Sequence, residues 1–249
     1  MRPRFIALAL VLLPFALEAQ VVGKFPPDSL VNTKVIPHST PVIQVIGTMR
    51  TITGALGVRC PYCHVGEEGK GLETFDFASD KKRNKLVARE MMRMVEDINH
   101  RLDTIPERPS IKVDVACRTC HRGLNRPMPL AQTIQEAAKA GGADSAIRAY
   151  KALRDKYTGR DAYDFGEGSL NVAAFRLARE NQKYDDALKV LAANEENFPA
   201  SSGLAVFRGN ILLMKGDTTA AATAFREAIK RDTTNMEARG RLKDIGKTM

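Results

Sequence analysis

The chain contains no tryptophan and is poor in aromatic residues, cysteine and histidine. Its 249 residues include 6% aromatic side chains, four cysteines and four histidines. No cysteine stands directly after the N-terminal apolar run, which excludes lipid attachment at a cysteine at that position. No basic array with interleaved aromatic residues is present, so the net charge of +9 does not predict a nucleic-acid partner. At most, the charge indicates a basic surface able to steer an acidic partner or to contact anionic lipid.

Residues 1–20 have the pattern of a secretory signal peptide. Arg2 and Arg4 form a basic start, an apolar run extends from Phe5 to Leu17, and Ala19 supplies a small residue for cleavage. The run is shorter than the roughly 20 residues that span a bilayer, although an uncleaved anchor is the alternative. We therefore expect a periplasmic or otherwise extracytoplasmic protein without a transmembrane segment in the mature chain.

All four cysteines fall into two pentapeptides of the form Cys-x-x-Cys-His. The first consists of Cys60, Cys63 and His64 with two intervening residues, and the second has the same arrangement at Cys117, Cys120 and His121. This spacing is the attachment signature of c-type haem, in which both thiols add to one porphyrin and the adjacent histidine binds its iron. Two motifs predict two covalent haem c groups, each with one iron.

Two other uses of the cysteines are possible. A single zinc site would need both pairs, but 53 residues separate them, against roughly 15–20 in the usual zinc pattern. Disulfides are possible in an oxidising compartment. Neither alternative explains why a histidine directly follows the second cysteine of both pairs.

Each motif is preceded by a predicted amphipathic helix that carries methionine. The first helix is expected from Thr40-Pro41 to Gly57 and has Met49 on its apolar stripe, and the second is expected over about residues 81–102. A thioether from either helix could be the second axial ligand of an iron, although most methionines on such stripes are core filler. Spacing does not choose among the candidates on the second helix, which are Met91, Met92 and Met94.

This repeated unit of helix and motif resembles the tetrahaem cytochrome subunit of photosynthetic reaction centres. The resemblance covers about residues 28–127 and rests on the sequences at 55–64, 87–99 and 117–123. That family places a methionine ligand on the helix before most of its haem motifs. The resemblance thus implies that Met49 and His64 bind one iron. It also selects Met91 as the partner of His121 at the other iron.

The chain departs from that family in several respects. It has two haem motifs rather than four, a longer connection between Met91 and Cys117, and an unrelated C-terminal segment. We therefore expect a dihaem module with a respiratory or general redox role rather than a photosynthetic subunit. His38 and His100 are the remaining histidines, and either could replace a methionine to give bis-histidine ligation.

The C-terminal part has an internal period of 34 residues, which is that of tetratricopeptide repeats. The matched pairs are Ala187 with Ala221, Leu191 with Phe225, and Pro199 with Thr233. An earlier hairpin is predicted at 131–140 and 145–157, broken at Gly141-Gly142, and a capping helix at 236–245. The segment resembles the tetratricopeptide family, although the usual large aromatic at the repeat start is missing. A plain helical bundle is the alternative.

The predicted fold class is mainly α, with a small helical dihaem c-type cytochrome module at 21–127 and tetratricopeptide-like hairpins at 128–249. We expect an electron-transfer protein rather than an enzyme, carrying single electrons between redox partner proteins through histidine–methionine-ligated haems. The repeats would dock a peptide or protein, or pack as a structural lid. One alternative is a peroxidase-like dihaem enzyme with an open axial site, although no distal histidine–arginine pair is evident. A scaffold with a haem module is the other.

Overall fold

The computed structural model describes residues 24–107 and 113–247, and its regular structure there is helical. The helices are α1 (Val42–Leu56), α2 (Arg83–Asp103), α3 (Cys117–His121), α4 (Leu130–Tyr157), α5 (Glu167–Asn181), α6 (Tyr184–Glu195), α7 (Ser202–Lys215), α8 (Thr218–Arg231) and α9 (Met236–Asp244). Short 3-10 helices cover Cys60–Tyr62 and Leu72–Thr74. The predicted mainly α fold is confirmed. The predicted signal peptide lies outside the described residues.

The chain packs as two compact units. Among the described residues, the first comprises 24–53 together with 58–107 and 113–115, and the second comprises 54–57 together with 116–247. This division places the second cysteine motif in the same unit as the helical repeats. The predicted boundary at residue 127 concerns the end of the haem-binding segment rather than the division into compact units, and it stays a prediction.

The first unit contains α2 and the residues of α1 up to Thr53, and both helices begin and end close to their predicted bounds. Proline at position 41 precedes α1, and its carbonyl accepts the amide of Gln44 at 2.9 Å. Gly57, with φ of +67°, follows the last helical residue, as expected of a glycine that ends a helix. Among the described residues of this unit, no apolar side chain is fully buried. The apolar stripes of α1 and α2 are therefore only half covered by protein.

The second unit is a row of helical hairpins whose buried apolar residues form two clusters. α4 is interrupted by non-helical backbone at Gly141 and Gly142, as predicted, so it forms the two arms of the first hairpin. α5 pairs with α6 and α7 pairs with α8, and α9 packs against α8. The side chains fully buried between these helices include Ile134, Leu177, Leu191, Leu204, Ile211, Phe225 and Leu242. Stacked hairpins of this kind bury apolar faces that no single hairpin could cover.

Local chemistry explains where the later hairpins turn. Asp217 caps α8 by accepting the amide of Ala220 at 2.9 Å, directly after Gly216 ends α7 with φ of +90°. Gly209 faces the ring of Phe225 so closely that any side chain there would overlap it. The contact between α7 and α8 therefore requires glycine at position 209.

None of the helices in the described ranges is both long enough and apolar enough to cross a membrane.

Candidate haem-binding sites

The first cysteine motif forms a tight turn in the first unit. The amides of Cys63 and His64 both donate to the carbonyl of Cys60, at 3.1 and 3.0 Å. This 3-10 geometry brings the two cysteines to one side of a single turn and directs the chain back on itself at the histidine. Both thiols are free and half-buried, and burial raises the pKa of Cys63.

His64 lies in a partly buried, aromatic environment. Its ring meets the ring of Phe77 edge to face, with centroids 5.0 Å apart, and Phe77 in turn contacts Phe75 and Phe25. Burial lowers the pKa of His64 to about 4, and the ammonium of Lys85 acts in the same direction. The imidazole is consequently neutral at pH 7, which is the form that binds metals.

The ring nitrogens of His64 are not fully used by the protein. Nδ1 is buried without a hydrogen bond of good geometry, although the backbone of Phe77 lies close enough to favour its protonated form slightly. A metal-bound imidazole uses one nitrogen for the metal and its orientation is fixed through the other. The neighbourhood of Phe77 is therefore suited to orienting His64 as an axial ligand.

Phe77 belongs to a short loop, residues 75–80, which we call the Phe77 loop. An antiparallel bridge, in which the amide of Asp76 donates to the carbonyl of Val65 at 2.9 Å, ties the loop to the residue after His64. The Asp76 carboxylate accepts the amides of Ala78 and Ser79 at 3.0 and 2.8 Å. From α2, Lys85 donates to three carbonyls of the same loop. The Phe77 loop beside His64 is thus held by the backbone next to His64, by the Asp76 carboxylate and by Lys85 of α2.

The second cysteine motif is a single α-helical turn in the second unit. Its histidine, His121, has Nδ1 2.7 Å from the carbonyl oxygen of Leu124. A carbonyl only accepts hydrogen bonds, so this contact places the proton on Nδ1 and leaves the lone pair of Nε2 free. Thr119 accepts the amide of Ala116 at 3.0 Å and so closes the start of the turn. The motif therefore presents a histidine in the tautomer that ligates through Nε2.

The end of α1 packs against the residues that follow the second motif. The amide of Gly123 donates to the carbonyl of Ala55 at 2.7 Å, and Ala55 and Leu124 are both buried there. Gly57 lies against the carbonyl of Gly123 without room for a Cβ atom. The two glycines thus permit a close backbone contact directly beyond His121.

We expect Gly57→Ala to destabilise the fold around the second motif by about 1–3 kcal/mol, because it combines a strained positive φ with overlap onto the Gly123 carbonyl. Gly54→Ala is the matched control, since an added Cβ there meets nothing within 4 Å. The control should be neutral or stabilising by about 0.5–1 kcal/mol. Thermal unfolding followed by circular dichroism measures both variants, and equal stability of the two would contradict this account.

α2 is tied near each end to chain segments that border the motifs. Near its start, Asn84 donates to the carbonyl of Tyr62, inside the first motif, at 3.1 Å. Near its end, Asn99 both donates to the carbonyl of Val115 at 2.9 Å and accepts its amide at 2.7 Å. Val115 stands two residues before Cys117. The two hydrogen bonds of the Asn99 carboxamide therefore fix the backbone just ahead of the second motif.

The predicted methionine ligands lie on helix faces that the protein leaves partly open. Met49 is half-buried on α1. On α2, Met91 and Met94 are 38% and 45% exposed on one face, whereas Met92 is half-buried on another. The assignments of Met49 and Met91 as iron ligands stay predictions. His38 and His100 are exposed.

The residues present fit covalently bound haem. Both histidines are placed with a nitrogen available, each beside two free thiols in the attachment spacing. The first unit also lacks a buried apolar core among its described residues, although its helices carry long apolar stripes. A unit of this size needs additional burial for stability, and a macrocycle would supply it. Cys60, Cys63 and His64 would hold one haem, and Cys117, Cys120 and His121 the other.

The zinc alternative has little support in this geometry. Across residues 24–107 and 113–247 no group of three or more histidine, cysteine, aspartate or glutamate side chains is arranged to hold a metal ion. A structural zinc site needs four such ligands in a tetrahedral arrangement. Haem attachment asks for two thiols and one imidazole at each motif, which is what each motif provides.

Comparisons with known proteins agree with the two parts of the chain. Residues 59–160 match the family model described as photosynthetic reaction centre cytochrome C subunit, and residues 172–235 match tetratricopeptide repeat. The first match includes both cysteine motifs and Met91, and it begins after Met49. The second corresponds to α5 through α8.

A curated relative matches a shorter segment. Cytochrome c-554 of Chloroflexus aurantiacus is 39% identical over 71 residues, which is 28% of this chain and 15% of that protein. The chain therefore spans only a small part of that relative's length. With the family matches, it confirms the resemblance predicted from the sequence: the chain is similar to c-type cytochromes of the reaction-centre subunit family in its N-terminal part and to tetratricopeptide repeats in its C-terminal part.

Proposed function

We propose that this protein is an extracytoplasmic dihaem c-type cytochrome that carries single electrons between redox partner proteins. The observation that carries the proposal is the repeated placement of a histidine next to two free thiols in haem-attachment spacing, with Nε2 of His121 left available by the hydrogen bond from Nδ1 to Leu124. The cytochrome c-554 match and the family match over residues 59–160 support the same class of protein.

The chain's own residues would attach, ligate and shield the cofactor. The four cysteines would hold the two haems through thioether links, His64 and Met49 would bind one iron, and His121 and Met91 would bind the other. Bound haem supplies a one-electron iron couple whose potential depends on ligation, burial and nearby charge. Half-buried apolar residues of α1 and α2 limit water around the macrocycles, namely Val45, Ile46, Ile52, Val95 and Ile98. With both axial positions closed, electron transfer is favoured over substrate binding.

The location and the partners are part of the same proposal. The signal-like pattern at residues 1–20 supports export. Tetratricopeptide hairpins commonly present a concave surface to peptides or proteins, so the second unit would dock a partner near the haem that its own motif binds. Deleting the repeats is a poor test of this role, because the second motif packs in the same unit.

The first experiment is to measure haem stoichiometry of the exported protein and its reduced visible spectrum with and without carbon monoxide. Two covalent haems with no spectral shift on adding carbon monoxide are expected, since six-coordinate iron has no vacant position. Two haems with a shift at one would support the enzyme alternative, with an open axial site. Absence of covalent haem would overturn the proposal.

A further inference from the structure

Lys85 is an internal lysine in the first unit. Its ammonium donates to the carbonyls of Phe77, Ala78 and Ser79 at 2.8, 3.0 and 2.8 Å and lies 3.1 Å from a carboxylate oxygen of Asp80. The side chain is only 11% exposed. An ammonium has three donors, and here backbone carbonyls of one loop take all of them. Lys85 therefore acts as a fixed charge in the wall beside His64.

A second cation completes this arrangement. Arg89, one turn further along α2 and 13% exposed, donates to the other carboxylate oxygen of Asp80 at 3.0 Å and to the carbonyl of Asn32 at 2.8 Å. These contacts hold the pKa of Asp80 far below its usual range, so the carboxylate stays charged. Lys85, Arg89 and Asp80, which we call the Lys85 cluster, therefore carry two positive charges and one negative charge.

The Lys85 cluster is connected to His64 through Phe77. The carbonyl of Phe77 accepts from Lys85 while its ring contacts His64. The charges of Lys85 and Arg89 both act on His64, Lys85 the more strongly, and each outweighs the opposing charge of Asp76. The cations therefore dominate the fixed field on this side of the histidine.

We propose that the Lys85 cluster tunes the reduction potential of the iron bound by His64, with Lys85 raising it and Asp80 lowering it. The inference rests on the proposed function. Oxidation of the iron adds one positive charge, and a fixed cation nearby in a medium of low dielectric disfavours that step. Lys85 also holds the Phe77 loop against His64, so it is a positioning residue as well as a charge.

The test is a potentiometric titration of the two-haem protein carrying Lys85→Met, Asp80→Asn, or Lys81→Met as control. Lys81→Met removes the same charge from an exposed site two residues before α2 begins at Arg83. We expect Lys85→Met to lower one of the two potentials by a three- to tenfold change in the redox equilibrium constant, roughly 30 to 60 mV for a one-electron couple. Asp80→Asn should raise the same potential. Lys81→Met should leave both reduction potentials unchanged.

The opposite signs separate charge tuning from loosening of the Phe77 loop. Loosening alone would move the potential in the same direction in both variants, and that result, or no movement in either, would overturn the inference. Lys85→Arg keeps the charge and should restore the potential of the unmodified protein. If Lys85→Met does not retain the first haem, Asp80→Asn decides by itself, because only an upward shift agrees with the inference. Failure of the proposed function would be recognised separately, by the absence of covalent haem in the unmodified protein.

Discussion

Replacing Cys60 and Cys63 together with serine should leave the exported protein with one covalently attached haem instead of two. Thioether bonds form from thiols, and all four thiols of the chain belong to the two motifs, so no other cysteine can compensate. The paired change at Cys117 and Cys120 should likewise leave one haem. Intact mass and the absorbance of the pyridine haem complex measure the number directly.

The two paired variants serve as controls for each other, because each keeps the motif that the other lacks. Iron analysis should give two atoms per unmodified chain and one per variant. Retention of two covalent haems by either variant, or zinc in place of iron, would contradict the assignment of the motifs. Loss of both haems in the first variant alone would mean that the second motif depends on the first for attachment.

Replacing Met91 with alanine should open the iron bound by His121 to carbon monoxide and lower its reduction potential. The thioether ligand stabilises reduced iron, and its loss should shift the potential by on the order of 0.1 V, within the roughly 0.8 V range that axial ligands set. The Cys60→Ser and Cys63→Ser background is the sharpest setting, because only one haem then contributes to the spectrum.

Met94 supplies the comparison for this prediction. It lies on the same exposed face of α2 as Met91, so Met94→Ala removes a similar side chain from the same surface. The resemblance to the reaction-centre subunit selects Met91, and we therefore expect the spectrum of Met94→Ala to be unchanged. A vacant site in Met94→Ala and a closed one in Met91→Ala would reassign the ligand. Met49→Ala should have the same effect at the iron bound by His64.

Much of the fold could be predicted because its signals are local or periodic. Proline at 41 and glycine at 57 bound α1, the Gly141-Gly142 pair interrupts α4, and the 34-residue period located the hairpins α5–α8. What the periodicity did not show is that the first unit lacks a buried core. Apolar spacing predicts which residues share a helix face, but the burial of that face depends on what packs against it.

The surroundings of the histidines were beyond sequence reasoning. In the sequence Lys85 is only one of a run of basic residues near the start of a helix, whereas in the structure its ammonium is enclosed by the Phe77 loop. In the sequence, Phe77 stands out only because phenylalanine also occurs at position 75. Asn99 is only one of many polar residues on an amphipathic helix. Their roles depend on partners 13 and 16 residues away, at His64 and Val115.

By itself the sequence determined the haem-attachment chemistry, because the groups that carry it are neighbours along the chain. Two thiols and an imidazole within five residues specify attachment wherever the segment lies, because the reacting groups are held together by the chain itself. Only the tertiary structure decided the close contact of Gly57 with Gly123 and the enclosure of Lys85 and Arg89 around Asp80 beside His64. Those features depend on distances between residues that are remote along the chain, and such distances exist only once helices and loops have packed.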